Sequence, residues 1–300
     1  MTERAIELHG VRDLEERFEL PVREDAISHH SCRVCGSQTF RRWGAHEGHQ
    51  MYQCLECDLT FFFPYPTENE LNCFYNGAYH QQRGYSGTTL AGQLRQQMYQ
   101  LDIADLERTV PGKGKILDVG CAEGLFLSKL TSAGWERYGM DVSTPAIESA
   151  RRQHPHITFF DCPIDRLPVP DRFFDVVHLR GVFEHLLFPD EILKILKKKL
   201  KASGTLAISN TPNARGLCGE LFRNRFKLVM YEHVTYPSIR TIKRLFLNND
   251  IRLIRIRYPY FGSPYAAPLK DLWGLGWNLV TGAKSPPFHG NIFTMYGRSA

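Results

Sequence analysis

The ten residues from 115 to 124, KILDVGCAEG, constrain the fold of this chain more than any other stretch. Ile116, Leu117 and Val119 form a short apolar run, as expected of a strand that is buried on both faces of a parallel sheet. Gly120 and Gly124 follow, and glycine permits a tight turn and a close approach of the backbone to a ligand. Leu127 and Leu130 then return to helical spacing. This order predicts a nucleotide-sized binding site at a helix N-terminus, although a plain structural turn can have the same glycine spacing.

An acidic residue about twenty positions further on supports the ligand interpretation. Tyr138-Gly-Met-Asp141 reads as a second strand that ends in a carboxylate, where a doubly wound sheet binds the hydroxyls of a ribose. The glycine loop does not have the G-x-G-x-x-G spacing of dehydrogenases. The two motifs together resemble the first two motifs of class I S-adenosylmethionine-dependent methyltransferases, with Ala122 where that family has a further glycine.

The resemblance implies which residues contact S-adenosylmethionine. They belong to the glycine loop, to the ends of the next strands, and to an aromatic segment that the resemblance places over the donor site. These residues are Asp118, Gly120, Cys121, Ala122, Gly124, Asp141, Val142, Asp161, Cys162, Arg180, Tyr75 and Tyr79. As bare aromatics, the two tyrosines are more often core residues.

Two C-x-x-C pairs near the N-terminus predict a structural zinc ribbon. Cys32 and Cys35 are separated by eighteen residues from Cys54 and Cys57. Tetrahedral Zn²⁺ takes four thiolates, and each pair supplies two of them. The alternative is two pairs of reduced cysteines without an ion. A catalytic zinc is not expected, because four protein thiolates leave no open coordination position.

The order of segments adds a second resemblance, over roughly residues 31–300. The ribbon is followed by a Pro-x-Pro-Thr-x-x-Glu-Leu turn, a Phe-Tyr segment and the donor-binding motifs. This order resembles methyltransferases of bacterial polysaccharide and natural-product gene clusters, among them sugar methyltransferases. It divides the chain into an N-terminal arm (1–30), a zinc ribbon (31–66), a helical linker that covers the donor site (67–111) and a methyltransferase domain (112–300).

Alternating strands and helices predict an α/β fold. We expect a doubly wound, mostly parallel, seven-stranded Rossmann-like sheet with its ligand at the carboxyl ends of the strands. The fifth strand is predicted at Gly204–Ser209, and strands at 251–256 and 292–296 complete the sheet. Residues 214–236 and 258–290 are rich in Gly, Pro and aromatics. They are expected to cover the acceptor site, because long irregular segments are usually lids or binding loops.

Two histidines are the candidates for a general base, which the methylation of a sugar hydroxyl requires. His185 is predicted to follow the fourth strand at the start of a helix, and His233 follows the fifth strand; a glutamate, Glu184 or Glu232, precedes each. His233 is favoured because it lies in the predicted acceptor segment, and Glu184 is a third catalytic candidate. The alternative is structural: His185 bonds its own loop and His233 anchors the lid.

The same residues resemble the Glu-x-x-Glu-His motif of methyltransferases that use Mg²⁺ or Mn²⁺. Gly181 stands where the first glutamate of that motif would be. Losing one carboxylate weakens a site for a hard cation. A catalytic divalent ion is therefore a lesser alternative.

Composition narrows the possible partners. The 300 residues are 43% hydrophobic with a net charge of +5, and both signs of charge are mixed along the chain. Nucleic-acid binding needs clustered positive charge, so no nucleic-acid partner is expected. No signal peptide and no apolar run of membrane-spanning length is recognised, which favours a cytoplasmic enzyme.

The leading hypothesis is methyl transfer from S-adenosylmethionine to a sugar hydroxyl, on a small molecule or a carrier-linked precursor. O-methylation of an aromatic or lipid-like metabolite is the alternative, and an RNA methyltransferase that binds RNA through the ribbon is a third. The Leu269–Val280 stretch could contact a lipid carrier or a partner subunit. The oligomeric state is left open.

Overall fold

The computed structural model describes residues 27, 29–67, 70–71, 90–230 and 232–300. The predictions for the arm before residue 27, and those for Tyr75 and Tyr79, lie outside these residues. Within the described part, no helix is long and apolar enough to cross a membrane.

The described part of the chain contains strands and helices that we number in chain order. The strands are β1 (Phe40–His46), β2 (His49–Cys54), β3 (Thr60–Phe63), β4 (Gly114–Val119), β5 (Trp135–Asp141), β6 (Thr158–Asp161), β7 (Phe174–Arg180), β8 (Leu200–Pro212), β9 (Thr235–Tyr236), β10 (Ile251–Arg257) and β11 (Ile292–Ser299). The helices are α1 (Leu90–Thr109), α2 (Leu125–Lys129), α3 (Thr144–Gln153), α4 (Pro189–Lys199), α5 (Leu217–Phe222), α6 (Ile239–Asn248) and α7 (Pro268–Thr281).

Seven strands form the large sheet in the order β10-β11-β8-β7-β4-β5-β6. The five strands from β8 to β6 pair in parallel, whereas β11 is antiparallel to both of its neighbours. This confirms the predicted doubly wound, mostly parallel, seven-stranded sheet. The strand order reverses at β4, which lies between β5 and β7, and such a reversal opens a crevice at the carboxyl ends of the strands.

Strand β4 shows why the sheet is predictable from the sequence. Ile116 and Leu117 are both fully buried, and they belong to different core clusters on the two faces of the sheet. The cluster with Ile116 includes residues of α1, α2 and α3, whereas the cluster with Leu117 includes residues of α4 and α6. Helices on both faces explain why the adjacent residues Ile116 and Leu117 are both apolar, where a strand with one solvent face would alternate.

A buried ionic cluster fastens α1 to the sheet. Asp102 and Asp105 of α1 are 4% and 0% exposed. The guanidinium Nη2 of Arg255 on β10 lies 2.8 Å from Asp105 Oδ1, and the Tyr296 hydroxyl on β11 donates to Asp105 Oδ2 over 2.8 Å. Arg257 Nη1 lies 3.6 Å from Asp102 Oδ1. Burial of these carboxylates is tolerated because cations and a hydroxyl surround them.

A second, antiparallel sheet has the order β1-β2-β3-β9. Its first three strands come from the predicted ribbon, but β9 comes from the segment after residue 230. Phe61 pairs with Thr235, and the Thr241 hydroxyl on α6 donates to the Cys57 carbonyl over 2.8 Å. The ribbon is thus joined by hydrogen bonds to the chain that follows His233.

Candidate active site

A cleft of about 1170 Å³ opens at the carboxyl ends of β4, β5 and β7. One wall consists of the glycine loop after β4, the end of β5 and residues 163–166. The opposite wall comes from the loop after β7, from Lys227, Leu228, Met230 and His233, and from the late segment around Tyr260 and Phe288. The volume exceeds that of an ordinary small-molecule pocket, roughly 300–1,000 Å³, so a cofactor and an acceptor can bind side by side.

The glycine loop has a left-handed backbone at three alternate positions. The φ angles are 67° at Gly120, 47° at Ala122 and 74° at Gly124. A side chain at Gly124 would lie 2.6 Å from the Phe159 ring, so only glycine fits there. Ala122 adopts the conformation for which its family counterpart is glycine, at a cost in backbone strain.

Asp141 lies at the cleft wall and holds the loop in place. Its Oδ2 accepts the Ala122 N–H over 2.9 Å, and its Oδ1 accepts the Ser143 N–H over 2.9 Å. The carboxylate thus fixes the glycine loop against the end of β5. An ionised carboxylate only accepts hydrogen bonds, which is the chemistry that binds ribose hydroxyls.

Asp118 also lines the cleft. Its carboxylate belongs to a chain of hydrogen bonds that was not predicted from the sequence. His178 Nδ1 lies 2.9 Å from Asp118 Oδ1, and His178 Nε2 lies 2.7 Å from the Ser209 hydroxyl. All three side chains are buried. The available signal was a histidine within the apolar run Val176–Leu179 of β7, and it lies directly opposite Asp118 in the register.

Not all of the predicted donor-site residues line the cleft. Asp118, Gly120, Cys121, Ala122, Asp141, Val142 and Arg180 do so. Gly124, Asp161 and Cys162 are not among the lining residues, and the Asp161 carboxylate accepts instead from the Thr144 hydroxyl over 3.2 Å. The wall there is formed instead by Pro163, Ile164, Asp165 and Arg166, which no sequence motif had marked.

Arg180 carries a fixed positive charge into the cleft. Its Nε donates to Asp102 Oδ2 over 2.8 Å, and its guanidinium lies 4.4 Å from the centre of the Tyr99 ring. Burial by itself lowers the pKa of Arg180, but the nearby Asp102 and Tyr99 outweigh burial and the pKa is raised. The buried cluster on α1 therefore both orients this cation and keeps it charged.

Glu184, His185 and His233 meet at the opposite wall, as the catalytic hypothesis requires. The two imidazole rings are 4.9 Å apart between their centres, and all three side chains line the cleft. His185 Nδ1 lies 2.8 Å from the Glu232 carbonyl, and His233 Nδ1 lies 3.0 Å from the Leu228 carbonyl. A carbonyl can only accept, so each Nδ1 carries the proton and each Nε2 can accept one. Glu184 and His185 lie on a short 3-10 turn, Phe183–His185, rather than at the start of a longer helix.

This trio also has the ligand types of a metal site. One ligand atom from each of Glu184, His185 and His233 lies within 4.8 Å of the others. Gly181, where the resemblance would require a further glutamate, adopts φ 60° and offers no ligand. Two imidazoles and one carboxylate suit a transition metal better than Mg²⁺, which prefers oxygen ligands.

The four ribbon cysteines form a separate cluster whose geometry fits tetrahedral zinc. The Cys32 and Cys57 sulfurs are 3.6 Å apart, those of Cys35 and Cys54 are 3.5 Å apart, and all four lie within 4.8 Å. Four thiolates at the usual Zn–S distance would lie about 3.8 Å from one another. Hydrogen bonds from Cys32 and Cys57 lower the pKa of Cys54, whereas the pKa of Cys57 is raised by Cys32, Cys54 and burial. A shared cation would resolve this competition for protons.

Three features define a Rossmann-like cofactor-binding protein. They are the reversal of strand order at β4, the glycine turn after β4 and the acidic residue that ends β5. The chain matches the family model described as a methyltransferase domain over residues 91–256, which is more than half of its length. The chain belongs to this methyltransferase domain family.

Individual relatives are more distant. A probable S-adenosylmethionine-dependent methyltransferase of Mycobacterium tuberculosis is 29% identical over 98 residues, which are 33% of this chain and 35% of that protein. The match thus spans about a third of that relative's length. A ubiquinone biosynthesis O-methyltransferase of Acinetobacter baylyi is 23% identical over 174 residues, or 56% of this chain and 68% of that protein.

Among solved structures, the fold is similar to magnesium protoporphyrin IX methyltransferase of Synechocystis with bound SAH. The TM-score is 0.56 at 14% identity, and the alignment covers 78% of this chain and 100% of that chain. At this identity, the likeness shows the fold alone.

Proposed function

We propose that the protein transfers a methyl group from S-adenosylmethionine to a hydroxyl oxygen of a sugar, either nucleotide-linked or part of a glycan or glycolipid precursor. The observation that carries the proposal is one cleft with a donor-type wall at Asp141 and two proton-accepting histidines on the opposite wall. The similarity to an O-methyltransferase over 56% of the chain supports transfer to oxygen.

The donor wall fits S-adenosylmethionine by its chemistry. The Asp141 carboxylate suits the ribose hydroxyls, and the glycine loop at Gly120–Ala122, which lines the cleft, permits close approach. Val142 and Ile164 offer apolar surface for a base. The bound cofactor would supply an electrophilic methyl group. The chain's own contribution is to hold donor and acceptor together, and such positioning can supply roughly 7–11 kcal/mol of the barrier reduction.

On the acceptor side, we assign His233 as the general base, with His185 and Glu184 beside it. Residues 227, 228 and 230, close to His233 in the chain, line the same part of the cleft. Tyr260 and Phe288 line it too, together with the amides of Asn210 and Asn291. Aromatic rings and amides suit the apolar faces and the hydroxyls of a sugar. The aromatic lining equally favours an aromatic or lipid-like acceptor, which is the second candidate.

We also propose one structural Zn²⁺ on Cys32, Cys35, Cys54 and Cys57. The sulfur distances and the complete thiolate set support it. With four protein ligands, this ion would stabilise the ribbon and take no part in methyl transfer.

The proposed function is tested with three variants that separate donor binding from proton transfer. Asp141→Ala should weaken S-adenosylmethionine binding by about 1–3 kcal/mol, because charged hydrogen bonds are lost. His233→Ala should keep donor affinity within about twofold, since the two walls are independent sites, and should abolish most of the turnover. Calorimetric titration with S-adenosylmethionine measures the first effect. Methyl transfer to a panel of nucleotide sugars, glycolipid precursors and catechols measures the second.

His185→Ala is the comparison for the base, because His185 has the same kind of Nδ1 hydrogen bond as His233. If His185→Ala removes turnover while His233→Ala retains it, the base is His185. Equal donor affinity for Asp141→Ala and the parent chain would overturn the donor assignment. Methylation confined to the catechols would replace the sugar acceptor by an aromatic one.

A further inference from the structure

Helix α7 turns its apolar side to the solvent. Five large apolar side chains of this helix are between 55% and 87% exposed: Leu269, Leu272, Trp273, Trp277 and Val280. Their spacing of three and four residues places them on one face. The two indole rings stack at 5.3 Å with an interplanar angle of 12°, and together they expose on the order of 250 Å². Monomeric proteins rarely leave a contiguous apolar face of this kind uncovered.

The orientation of α7 is fixed by its inward side, where Asp271 is buried and where Leu275 and Leu279 pack against a core cluster. Asp271 is 5% exposed, and no other described residue of the helix is classed as buried. Its Oδ2 accepts the Tyr260 hydroxyl over 2.6 Å and the Ala267 N–H over 2.8 Å. Rotating the helix to bury the tryptophans would break both bonds and leave the buried Tyr260 hydroxyl without its acceptor. The outward apolar face is therefore built into the fold.

The surroundings of α7 are basic. Residues 215–227 and 261–285 contain six basic residues (Arg215, Arg223, Arg225, Lys227, Lys270 and Lys284) and two acidic ones, Glu220 and the buried Asp271. Lys270 lies in the first turn of the helix. Arg225 lies at the other end, where its Nη1 donates to the carbonyls of Asn278 and Ala283 over 3.3 and 3.5 Å. Apolar, Trp-rich surface flanked by cations is the pattern of helices that lie in the headgroup region of anionic membranes.

We propose that α7 is an interfacial helix by which the protein docks on an anionic phospholipid surface. Leu217 and Leu221 of the adjoining α5, and Phe261 before α7, are also exposed and extend the apolar face. Two-fold pairing with a second copy is disfavoured, because a symmetric contact would bring each basic rim against its own copy.

Docking at α7 would place the acceptor side of the cleft next to the lipid. Tyr260, whose hydroxyl bonds to Asp271, lines the cleft, and so does Pro286, which lies against Gly274 of the helix. The inner side of α7 thus supports the acceptor wall. The choice of a lipid-linked acceptor rests on the proposed function, whereas the membrane contact itself does not.

The test is co-sedimentation of the full chain with vesicles, followed by indole fluorescence. Vesicles with equal amounts of phosphatidylcholine and phosphatidylglycerol should bind the protein, with a blue shift of the fluorescence. Vesicles of phosphatidylcholine alone, or high salt, should weaken binding about tenfold or more, because each nearby cation adds to the attraction. Trp273→Ser combined with Trp277→Ser should lower partitioning about tenfold or more, because the buried apolar area is lost.

A matched pair of leucine variants provides the control. Leu269→Ser on α7 and Leu247→Ser on α6 remove the same side chain from positions that are 87% and 71% exposed. Only Leu269→Ser should reduce vesicle binding, and neither should change the melting temperature. Equal effects of the two leucines, or no binding to anionic vesicles, would overturn the proposal. It would also be overturned by light scattering that shows a dimer lost in the tryptophan variant. Vesicle binding is measured without methyl transfer, so a negative result would count against the membrane contact and would not bear on the proposed reaction.

Discussion

At the scale of single residues, Ala122 is the strained position in the cofactor loop. Its φ of 47° costs an alanine more than a glycine, and the loop is held there by the bond from Ala122 N–H to Asp141. Ala122→Gly should therefore raise the free energy of unfolding by about 1 kcal/mol, the reverse of the usual alanine-to-glycine effect. Urea unfolding of the variant and the parent chain measures the change.

Ala104 is the matched control for this substitution. It is exposed within helix α1, where glycine costs about 0.5–1 kcal/mol relative to alanine. Ala104→Gly should lower stability, so the two variants should differ in sign. A loss of stability in both would show that Ala122 is not strained in the folded protein.

Individual site residues could be predicted from the sequence where a backbone rule fixes their position. Asp141 could be predicted because, in a doubly wound sheet, the carboxylate that binds the ribose hydroxyls lies at the end of a strand. The structure places Asp141 on the cleft wall. His178 was missed because its role depends on the register of β7 against β4, which brings it opposite Asp118. Sheet register follows from tertiary packing and cannot be read from one strand.

At the scale of secondary-structure elements, the attachment of α1 to the sheet depends on Asp105. Its carboxylate is fully buried between Arg255, Arg257 and the Tyr296 hydroxyl. Asp105→Ala should lower the free energy of unfolding by about 1–3 kcal/mol, because the buried Tyr296 hydroxyl loses its acceptor and two half-buried arginines lose their partner. Chemical denaturation followed by circular dichroism measures the loss.

An exposed ion pair gives the comparison. Asp58 Oδ1 lies 3.8 Å from Arg240 Nη1, and the arginine side chain is 57% exposed. Asp58→Ala should change stability by less than about 1 kcal/mol, because solvent already screens that pair. Similar losses in the two aspartate variants would contradict the assigned role of the buried cluster.

Elements were predictable where burial imposes a pattern. Central strands such as β4 carry apolar runs because helices cover both faces, and all seven strands of the large sheet were expected. Their ends were less accurate: the fifth strand was predicted at 204–209, but β8 spans Leu200–Pro212. The two-residue strand β9 has no sequence signal of its own, because it exists only by pairing with β3.

At the scale of the whole molecule, hydrogen bonds join the ribbon to the segments that form the acceptor side of the cleft. Strand β3 of the ribbon pairs with β9, and the Phe62 N–H donates to the Val234 carbonyl, one residue after His233. Arg33, between Cys32 and Cys35 of the proposed zinc site, donates to the Leu187 carbonyl, two residues after His185. The ribbon therefore holds both histidine-bearing segments, whereas the glycine loop is supported by the large sheet.

Loss of zinc should consequently impair turnover more than donor binding. We expect about one equivalent of zinc in the purified protein by elemental analysis. Cys32→Ser, or treatment with a strong chelator, should lower turnover on the order of a hundredfold by misplacing the histidines, while donor affinity changes by about twofold or less.

Cys218→Ala is the control, since this buried cysteine lies outside the cluster. It should retain zinc, and its turnover should follow its overall stability. A Cys32→Ser protein that loses zinc and methylates at the normal rate would show that the ribbon does not position the histidines.

The pairing of β3 with β9 has a consequence for the chain as it is made. Residue 235 is synthesised 172 positions after residue 63. At about 5–20 residues per second, β3 is therefore without its partner β9 for roughly ten to thirty seconds of synthesis. During that interval, the aromatic edge Phe61-Phe62-Phe63 is an open template for another nascent chain. Ribosomes crowded on one message would bring such edges together, so slow initiation and chaperone capture of the first hundred residues favour soluble protein.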